Sequence, residues 1–316
     1  MKITVLDRAT LGSDVPLDML NGLGEITVYD STTPEDLDCR IADSEAIILN
    51  KVRITKDVLT RARKLRLICV TATGYDNIDL DAARDLGVAV TNVPGYSTDS
   101  VALFTVATVL ALVTHIKEYN QFVTSGSYSA SGVANRLEPV YHELRGMTWG
   151  IVGYGNIGRA VAKVAEAFGA RILVNKRTPI DGVRCVGIDE LCTASDIITL
   201  HCPLNSDTRG LVGERELAMM KSSAVLVNEA RGAVVDPEAV AKAIEAGKIG
   251  AFGADVYEAE PMKPDHPFAR IMHLQNVLLT PHSAWGAYEA RLRCLEIVAD
   301  NIRAFIDKEI LNRVDI

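Results

Sequence analysis

The sequence predicts an α/β protein built on two parallel sheets. Short apolar runs typical of buried strands alternate with helical patterns along most of the 316-residue chain, and this alternation favours parallel sheets. The length suggests two domains, and a hydrophobic content of 48% is enough for a core in each. The strongest local pattern covers residues 148–158, where a strand, a tight turn and a helix are predicted in succession.

The turn in that pattern is a G-x-G-x-x-G motif formed by Gly153, Gly155 and Gly158. The first glycine suits a tight turn, the second lets a pyrophosphate approach the backbone, and the third lets the helix pack close to the strand. The N-terminus of the following helix favours phosphate. The motif therefore predicts dinucleotide binding, with an ordinary glycine-rich turn as the alternative.

The segment before residue 98 is expected to form a flavodoxin-like parallel sheet. Helix starts are visible at Thr33, which precedes a proline and two acids, and at Asp79, whose helix should end at Gly87. The strands are predicted at residues 3–6, 45–49, 67–71 and 88–91.

The rest of the chain is expected to begin with a buried crossover helix over residues 100–113 and to continue as a full dinucleotide fold of about six strands. Asp236 should start a helix that Gly247 ends, and residues 125–135 read as a surface loop. The apolar spacing over 288–306 predicts a tail helix that returns to the first domain. The domain boundaries follow as 1–98 with 287–316 for a substrate domain, and 99–286 for an inserted Rossmann domain.

Composition argues against several classes of protein. A net charge of −8 and a pI near 5.3 give no basic surface for nucleic acid. We expect no membrane partner, because no run of 18 apolar residues occurs and the first residues read as a strand, not a signal peptide. The six cysteines show no C-x-x-C spacing, so we expect reduced thiols in a cytoplasmic protein and no metal site.

Three turns that follow predicted strands carry residues suited to one reaction, the reduction of a carbonyl beside a carboxylate. Arg231 can bind the carboxylate with two hydrogen bonds. His282 can give a proton to the carbonyl oxygen, while Glu260 orients the imidazole and favours its charged form. Taken singly, the arginine could form a surface salt bridge, the Glu-Pro pair a turn, and the histidine an ordinary polar contact. Their joint position after a dinucleotide fold favours the catalytic interpretation.

The chain resembles the D-isomer-specific 2-hydroxyacid dehydrogenase family over nearly its whole length. The matching segments are TGYDNID at 73–79, VTNVP at 90–94, the glycine turn, HCPL at 201–204, NEARG at 228–232, DVYEAEP at 255–261 and PH at 281–282. The resemblance implies an NAD(P)-dependent enzyme whose catalytic residues are Arg231, Glu260 and His282, with Lys51, Thr73 and Gly74 as further substrate contacts. Its cofactor contacts are expected at Gly153, Gly155, Asn156, Ile157, Gly158, Cys202, Pro203, Thr208, Glu229, Ala230 and Asp255.

Within the family, PGYSTDSVA at 94–102 and PHSAW at 281–285 are similar to the glycerate dehydrogenase and hydroxypyruvate reductase branch. The expected substrate is therefore a small 2-oxo acid, hydroxypyruvate or glyoxylate. A phosphoglycerate dehydrogenase, a dehydrogenase of bulkier 2-hydroxy acids, and a nicotinamide-sensing binding protein similar to the family's corepressors stay open. The resemblance also implies a homodimer, with the helix over 100–113 as a candidate interface.

The choice between the two nicotinamide cofactors depends on the end of the second strand of the dinucleotide fold. An acid that binds the ribose 2′-OH is expected there, about 20 residues after the glycine turn. The sequence instead has Lys176 and Arg177, and the next carboxylate is Asp181. Two cations without an acid suit a 2′-phosphate, so NADP is the preferred cofactor. If both cations are only solvated, NAD is the alternative.

Overall fold

A computed structural model describes all of residues 1–316, and the chain divides into two compact units. Unit 1 consists of Met1–Ser97 together with Trp285–Ile316, and unit 2 consists of Thr98–Ala284. Unit 1 is therefore assembled from both ends of the chain, whereas unit 2 is continuous. The α/β fold class predicted from the sequence is confirmed, because each unit contains one sheet in which all strands are parallel.

The sheet of unit 1 has the flavodoxin-like strand order β2-β1-β3-β4-β5. Its strands are β1 (Lys2–Val5), β2 (Glu25–Val28), β3 (Ala46–Leu49), β4 (Leu67–Val70) and β5 (Ala89–Thr91). Every residue of β3 and β4 is buried, as expected for strands covered on both faces. The four predicted strands are confirmed. The sequence did not predict β2, an edge strand whose residues are largely exposed.

Three helices connect these strands: α1 (Pro34–Ile41), α2 (Lys56–Arg61) and α3 (Leu80–Asp85). The predicted starts of two of them are confirmed by hydrogen bonds from the backbone to a capping side chain. Thr33 Oγ1 accepts from the Asp36 N–H at 3.3 Å, and Asp79 Oδ1 accepts from the Ala82 N–H at 3.0 Å. Gly87 follows α3 with a φ of +68°, which explains why the helix ends there.

The sheet of unit 2 has the order β11-β10-β9-β8-β6-β7. An isolated parallel bridge between Val174 and Cys185 adds one more residue pair beyond β7. The order bridge-β7-β6-β8-β9-β10 is that of the 3-2-1-4-5-6 dinucleotide fold with its third strand reduced to a bridge, and β11 is a further strand beside β10. The predicted number of about six strands is confirmed. They are β6 (Thr148–Val152), β7 (Arg171–Asn175), β8 (Ile197–Leu200), β9 (Val225–Asn228), β10 (Ala251–Ala254) and β11 (Val277–Leu279).

Helices cover both faces of this sheet. On one face, α4 and α7 share an apolar core with Trp149, and on the other α8, α9 and α10 pack around Phe252. The predicted crossover helix and the predicted helix after Asp236 are confirmed as α4 and α10. The helices are α4 (Thr98–Val113), α5 (Ile116–Thr124), α6 (Ser127–Ser131), α7 (Asn156–Ala167), α8 (Ile188–Ala194), α9 (Glu214–Met219) and α10 (Pro237–Glu245).

The sequence did not predict α5, and it read the segment containing α6 as a loop. His115, between α4 and α5, has a φ of +52° and turns the chain sharply between the two helices. No helix taken alone has the length and apolarity needed to cross a membrane. The pair α4 and α5 reaches that length and composition only when both are counted across a 63° bend.

The last helix, α11 (Tyr288–Ile306), belongs to unit 1 and has the bounds expected of the tail helix. Its buried residues Ala290, Cys294 and Val298 share an apolar core with Ile3 and Ile48 of the first sheet. Of the residues whose spacing predicted this helix, Ala299 and Ile302 lie in this core, whereas Leu295 packs with Leu11 and Val15 and Ile306 is exposed.

Candidate active site

The glycine turn joins β6 to α7 and has the geometry that each glycine was expected to provide. Gly153 has a φ of +90°, and a Cβ there would lie 2.6 Å from the Cys202 backbone nitrogen. A Cβ at Gly158 would overlap the Gly153 carbonyl oxygen, so the helix packs against the turn without space for a side chain. A Cβ at Gly155 would meet nothing within 4 Å, which leaves open space on that side of the backbone.

The first turn of α7 is suited to hold a phosphate group. Asn156 and Ile157 are its first residues, and the N-cap residue Gly155 makes no side-chain cap. The first N–H groups of a twelve-residue helix are therefore available, and the helix dipole favours an anion at this end. Together with the open side of Gly155, this end of α7 fits the pyrophosphate of a dinucleotide.

The end of β7 presents two cations. Lys176 and Arg177 follow the strand directly, and both are exposed. The nearest acid further along the chain, Asp181, is exposed as well. Asn175 donates from its side chain to the Val186 carbonyl at 3.0 Å, so the strand end itself is anchored while the two cations extend from it.

The loop after β8 packs beside the glycine turn. Cys202 is buried, and its backbone nitrogen lies close to Gly153. Thr208 donates from its hydroxyl to the Pro203 carbonyl at 2.6 Å and closes the loop between them. Both ring nitrogens of His201 are buried without a partner, and burial lowers the pKa of His201 to about 3, so this imidazole is neutral.

The turn after β9 is held by the side chain of Asn228. Its amide donates to the Arg231 carbonyl at 2.9 Å, and its oxygen accepts from the Ala230 N–H at 3.1 Å. A Cβ at Gly232 would overlap the Tyr257 backbone, so the turn lies directly against the segment that follows β10. These contacts fix the backbone from which the Arg231 side chain extends.

Asp255, directly after β10, organises the segment that carries His282. Its carboxylate is buried and accepts from Thr280 Oγ1 at 2.6 Å, from the Ser283 N–H at 2.8 Å and from the Ala284 N–H at 2.8 Å. The His282 N–H donates to the Asp255 carbonyl at 2.8 Å. These bonds hold His282 at a φ of +54°, a conformation that a non-glycine residue keeps only when its surroundings enforce it.

Glu260 and His282 are in direct contact. His282 Nδ1 lies 2.6 Å from Glu260 Oε2, and the other oxygen of Glu260 accepts from the Tyr257 N–H at 3.3 Å. Both side chains are about a quarter exposed. Because Nδ1 faces the carboxylate, Nε2 is the ring nitrogen left to exchange a proton with another group.

Glu229 is the buried acid of this region. Its only hydrogen bond is a long one of 3.4 Å from Thr108 Oγ1 on α4, and its Oε2 is buried without a partner. Burial, and secondly the charge of Asp255, raise the pKa of Glu229 to about 8. The carboxyl is therefore mainly protonated at neutral pH.

In unit 1, the loop with Lys51 follows β3 and is fixed from two sides. The buried carboxylate of Asp7 accepts from the N–H groups of Asn50 at 2.9 Å, Lys51 at 2.7 Å and Val52 at 3.3 Å. Asn77 donates from its side chain to the Asn50 and Val52 carbonyls at 3.1 and 2.7 Å. Burial raises the pKa of Asp7, although the backbone N–H groups and the charge of Lys51 oppose that shift.

The loop with Thr73 and Gly74 follows β4 in the same sheet. Thr73 donates from its hydroxyl to the Val93 carbonyl at 2.9 Å, and the side chain of Asn92 donates to the Thr73 carbonyl at 2.8 Å. Both loops thus extend from the carboxyl ends of neighbouring strands, the edge at which ligands of parallel sheets bind.

Comparison with known proteins identifies the family. The model of the D-isomer specific 2-hydroxyacid dehydrogenase NAD binding domain matches residues 106–284. The chain belongs to this family. It is therefore an NAD(P)-dependent 2-hydroxyacid dehydrogenase, and the resemblance seen in the sequence motifs is confirmed.

Relatives extend the match to the whole dehydrogenase chain. The hydroxypyruvate reductase of Blautia hydrogenotrophica is 34% identical over 100% of both chains. The glyoxylate reductase of Aeropyrum pernix is 39% identical over 92% of this chain and 89% of its own. Among solved structures, an acyclic imino acid reductase in complex with NADPH and D-Arg has a TM-score of 0.87 and 30% identity, covering 99% of this chain and 100% of that one.

Sequence reasoning missed three residues that shape this dehydrogenase. Asp7 and Asn77 fix the loop of Lys51, and Thr108 is the hydrogen-bond partner of Glu229. A weak signal existed for Asp7 and Asn77, since each is a polar residue just after a strand or within a matched motif. For Thr108 no signal existed, because it lies within a helix that reads as apolar nearly all round.

Proposed function

We propose that this dehydrogenase reduces a small 2-oxo acid to the D-2-hydroxy acid, using Arg231, Glu260 and His282. The observation that carries the proposal is the 2.6 Å contact between His282 Nδ1 and Glu260 within the unit that contains the glycine turn. An acid–base pair of this kind requires a carboxylate partner on one ring nitrogen and a second nitrogen left for the substrate.

Each residue has a distinct chemical task in the proposed reaction. Arg231 binds the substrate carboxylate with two charge-assisted hydrogen bonds. His282 Nε2 donates a proton to the carbonyl oxygen during reduction and accepts it during oxidation. Glu260 keeps the proton of Nδ1 in place and stabilises the imidazolium. When bound, a nicotinamide cofactor supplies the hydride.

The proposed substrates are hydroxypyruvate and glyoxylate. Support comes from the names of the relatives, a hydroxypyruvate reductase and a glyoxylate reductase, each matched over most of both chains. Lys51, Thr73 and Gly74 keep their proposed role as substrate residues, supported by their position after neighbouring strands. Phosphoglycerate and bulkier 2-oxo acids are the competing substrates.

The proposal is tested by following the oxidation of NADPH and NADH with a panel of 2-oxo acids. We expect the highest kcat/KM with hydroxypyruvate or glyoxylate, and lower values with pyruvate, phosphohydroxypyruvate and branched 2-oxo acids. A higher kcat/KM for one of the latter would reassign the substrate. Cofactor binding without turnover of any acid would favour the alternative of a nicotinamide-sensing binding protein.

Replacing the proposed acid–base residue provides the mechanistic test. We expect His282→Asn to lower kcat about a thousandfold while leaving the Kd of the cofactor nearly unchanged, because only proton transfer is lost. The matched control is His273→Asn, since His273 is exposed. A His282→Asn enzyme that keeps a tenth of the wild-type kcat would rule out the proposed proton transfer.

We further propose that the cofactor is held by Gly153, Gly155, Asn156, Ile157 and Gly158 and that NADP is preferred over NAD. Supporting this placement are the open side of Gly155 and the free end of α7. The preference is supported by the exposed cations Lys176 and Arg177 at the end of β7 and by the absence of an acid before Asp181. The remaining proposed contacts are Cys202, Pro203, Thr208, Glu229, Ala230 and Asp255.

A double variant tests this preference. We expect Lys176→Ala with Arg177→Ala to raise the KM for NADPH by about tenfold to a hundredfold, because each substitution removes one charge-assisted hydrogen bond to the 2′-phosphate. The KM for NADH should stay nearly unchanged. Arg171→Ala is the control, because Arg171 is an exposed cation at the opposite end of the same strand. Equal or better kcat/KM with NADH in the wild-type enzyme would contradict the NADP assignment.

We propose that the enzyme is a homodimer. The segment from α5 to residue 141 exposes several large apolar side chains, whereas eight of the sixteen residues of α4 are buried within its own unit and Leu103 is its one exposed large apolar side chain. This favours the α5 segment over the α4 helix that the sequence suggested. The exposed side chains are Ile116, Val123, Tyr128, Val133, Leu137, Val140 and Tyr141.

Sedimentation equilibrium tests the dimer. The wild-type enzyme should have twice the 34.2 kDa mass of the chain, and Leu137→Glu with Val140→Glu should reduce it to the mass of one chain, because charges cannot be buried unpaired. Ile310→Glu, which alters an equally exposed apolar residue of unit 1, is the control. A wild-type monomer, or a double variant that stays dimeric, would refute the proposed interface.

A further inference from the structure

Glu229 and Asp255 are neighbouring acids at the carboxyl edge of the unit 2 sheet. Asn228 of β9 pairs with Ala254 of β10, so the next residue of each strand, Glu229 and Asp255, occupies the same level of the sheet. Glu229 is 8% exposed and Asp255 is 1% exposed. Two carboxyl groups are thus held close together with little access to water.

The hydrogen bonds of the two acids are very unequal. Asp255 accepts three short bonds, from Thr280, Ser283 and Ala284, which stabilise its ionised form. Glu229 has only the long bond from Thr108, and one of its oxygens has no partner. Since two adjacent buried carboxylates repel one another, the proton of the pair belongs to Glu229.

The groups around Glu229 are consistent with its carrying the proton of the pair. Next to it along the edge of the sheet is His201, after β8, whose imidazole is neutral because burial lowers its pKa to about 3. From the segment after β10, burial and the neighbouring acids raise the pKa of Tyr257 to about 12. Helix α4 contributes the uncharged Thr108, and the turn of Glu229 itself carries Arg231.

We propose that Glu229 couples binding of the oxidised cofactor to proton release, so that its protonated form favours the reduced nicotinamide and its ionised form favours the oxidised one. The oxidised ring carries a positive charge and the reduced ring does not. An ionised Glu229 beside Asp255 therefore attracts the oxidised ring and gains nothing from the reduced ring. By thermodynamic reciprocity, binding of the oxidised cofactor breaks the O–H bond of Glu229 and releases its proton to the solvent.

The inference rests on the proposed cofactor contacts at Glu229 and Asp255, and it deepens that proposal by assigning the nicotinamide ring to them. The direction of the pH dependence follows from the protonation state of Glu229. Well below pH 8 the group is neutral and the reduced cofactor is relatively favoured, whereas well above pH 8 it is anionic and the oxidised cofactor is relatively favoured.

Calorimetric titration of the intact enzyme with NADPH and with NADP⁺ between pH 6.5 and 9.5 tests the inference. We expect the ratio of the Kd for NADP⁺ to the Kd for NADPH to fall about tenfold across this range, the effect of one added charge at moderate distance. At pH 7, titrations in buffers of different ionisation enthalpy should show proton release on binding of NADP⁺ and almost none on binding of NADPH.

Two variants and one control separate Glu229 from other titrating groups. Glu229→Gln should keep both cofactors bound and make the ratio independent of pH. Thr108→Val should move the midpoint of the change to higher pH, because it removes the one hydrogen bond that favours the ionised form. The control Glu214→Gln, which alters an exposed glutamate of α9 in the same unit, should retain the wild-type curve.

Each outcome decides the inference. A pH-independent ratio in the wild-type enzyme, or an unchanged pH dependence in Glu229→Gln, overturns it while leaving the proposed function in place. If Glu229→Gln does not fold, an unchanged midpoint in Thr108→Val overturns it equally. Failure of the wild-type enzyme to bind either cofactor at any pH would overturn the proposed function and this inference together.

Discussion

The buried carboxylate of Asp255 is the interaction on which the rest of the candidate site depends. It accepts three hydrogen bonds from the segment that follows β11, and its carbonyl accepts a fourth from the His282 N–H. An ion at 1% exposure is stable only when its oxygens are satisfied in this way. The bonds in turn keep His282 in a left-handed conformation, from which its ring reaches Glu260. The contact between imidazole and carboxylate is thus a consequence of the Asp255 network.

Unit 1 also has a buried aspartate that accepts hydrogen bonds from a neighbouring loop, at the end of a different strand. Asp7 lies just after β1 and accepts the backbone N–H groups of the loop that contains Lys51. In both units a buried aspartate at the carboxyl end of a strand holds a neighbouring loop through its backbone. This arrangement explains how loops at a sheet edge acquire a defined shape.

Much of the fold was predictable because the relevant signals are local. Buried strands such as β3 and β4 read as apolar runs, and Thr33, Asp79 and Asp236 mark helix starts by side chains that cap the first turn. The edge strand β2 escaped prediction because its residues are mostly exposed and carry no apolar run. Helix α5 escaped because it begins after His115, whose side chain makes no cap, so the residue type that marks the other helix starts is missing.

Only the grouping of the turns in the candidate site was predictable, because it follows from the order of the strands along the chain. Parallel strands bring their carboxyl ends to one edge, so the sequence alone is enough to group the turns that carry Arg231, Glu260 and His282. The partners that determine charge and shape are separated by long stretches of sequence. Asp7 lies 44 residues from Lys51, and Thr108 lies 121 residues from Glu229. No local sequence pattern predicts hydrogen bonds between residues so far apart, because only the tertiary fold brings them together.

Glu229 shows what this difference means for the chemistry of the site. From the sequence alone, a glutamate after a strand is expected to be an anion. Two such acids at one edge of the sheet would make that region strongly negative. In the fold, Thr280, Ser283 and Ala284 donate to Asp255, whereas Glu229 has a single weak partner. The carboxyl with the poorer hydrogen bonds must carry the proton, since ionising both would place two charges in a region with little water. The net charge that this edge of the sheet presents to a ligand is therefore set by how hydrogen-bond donors are distributed between neighbouring strands.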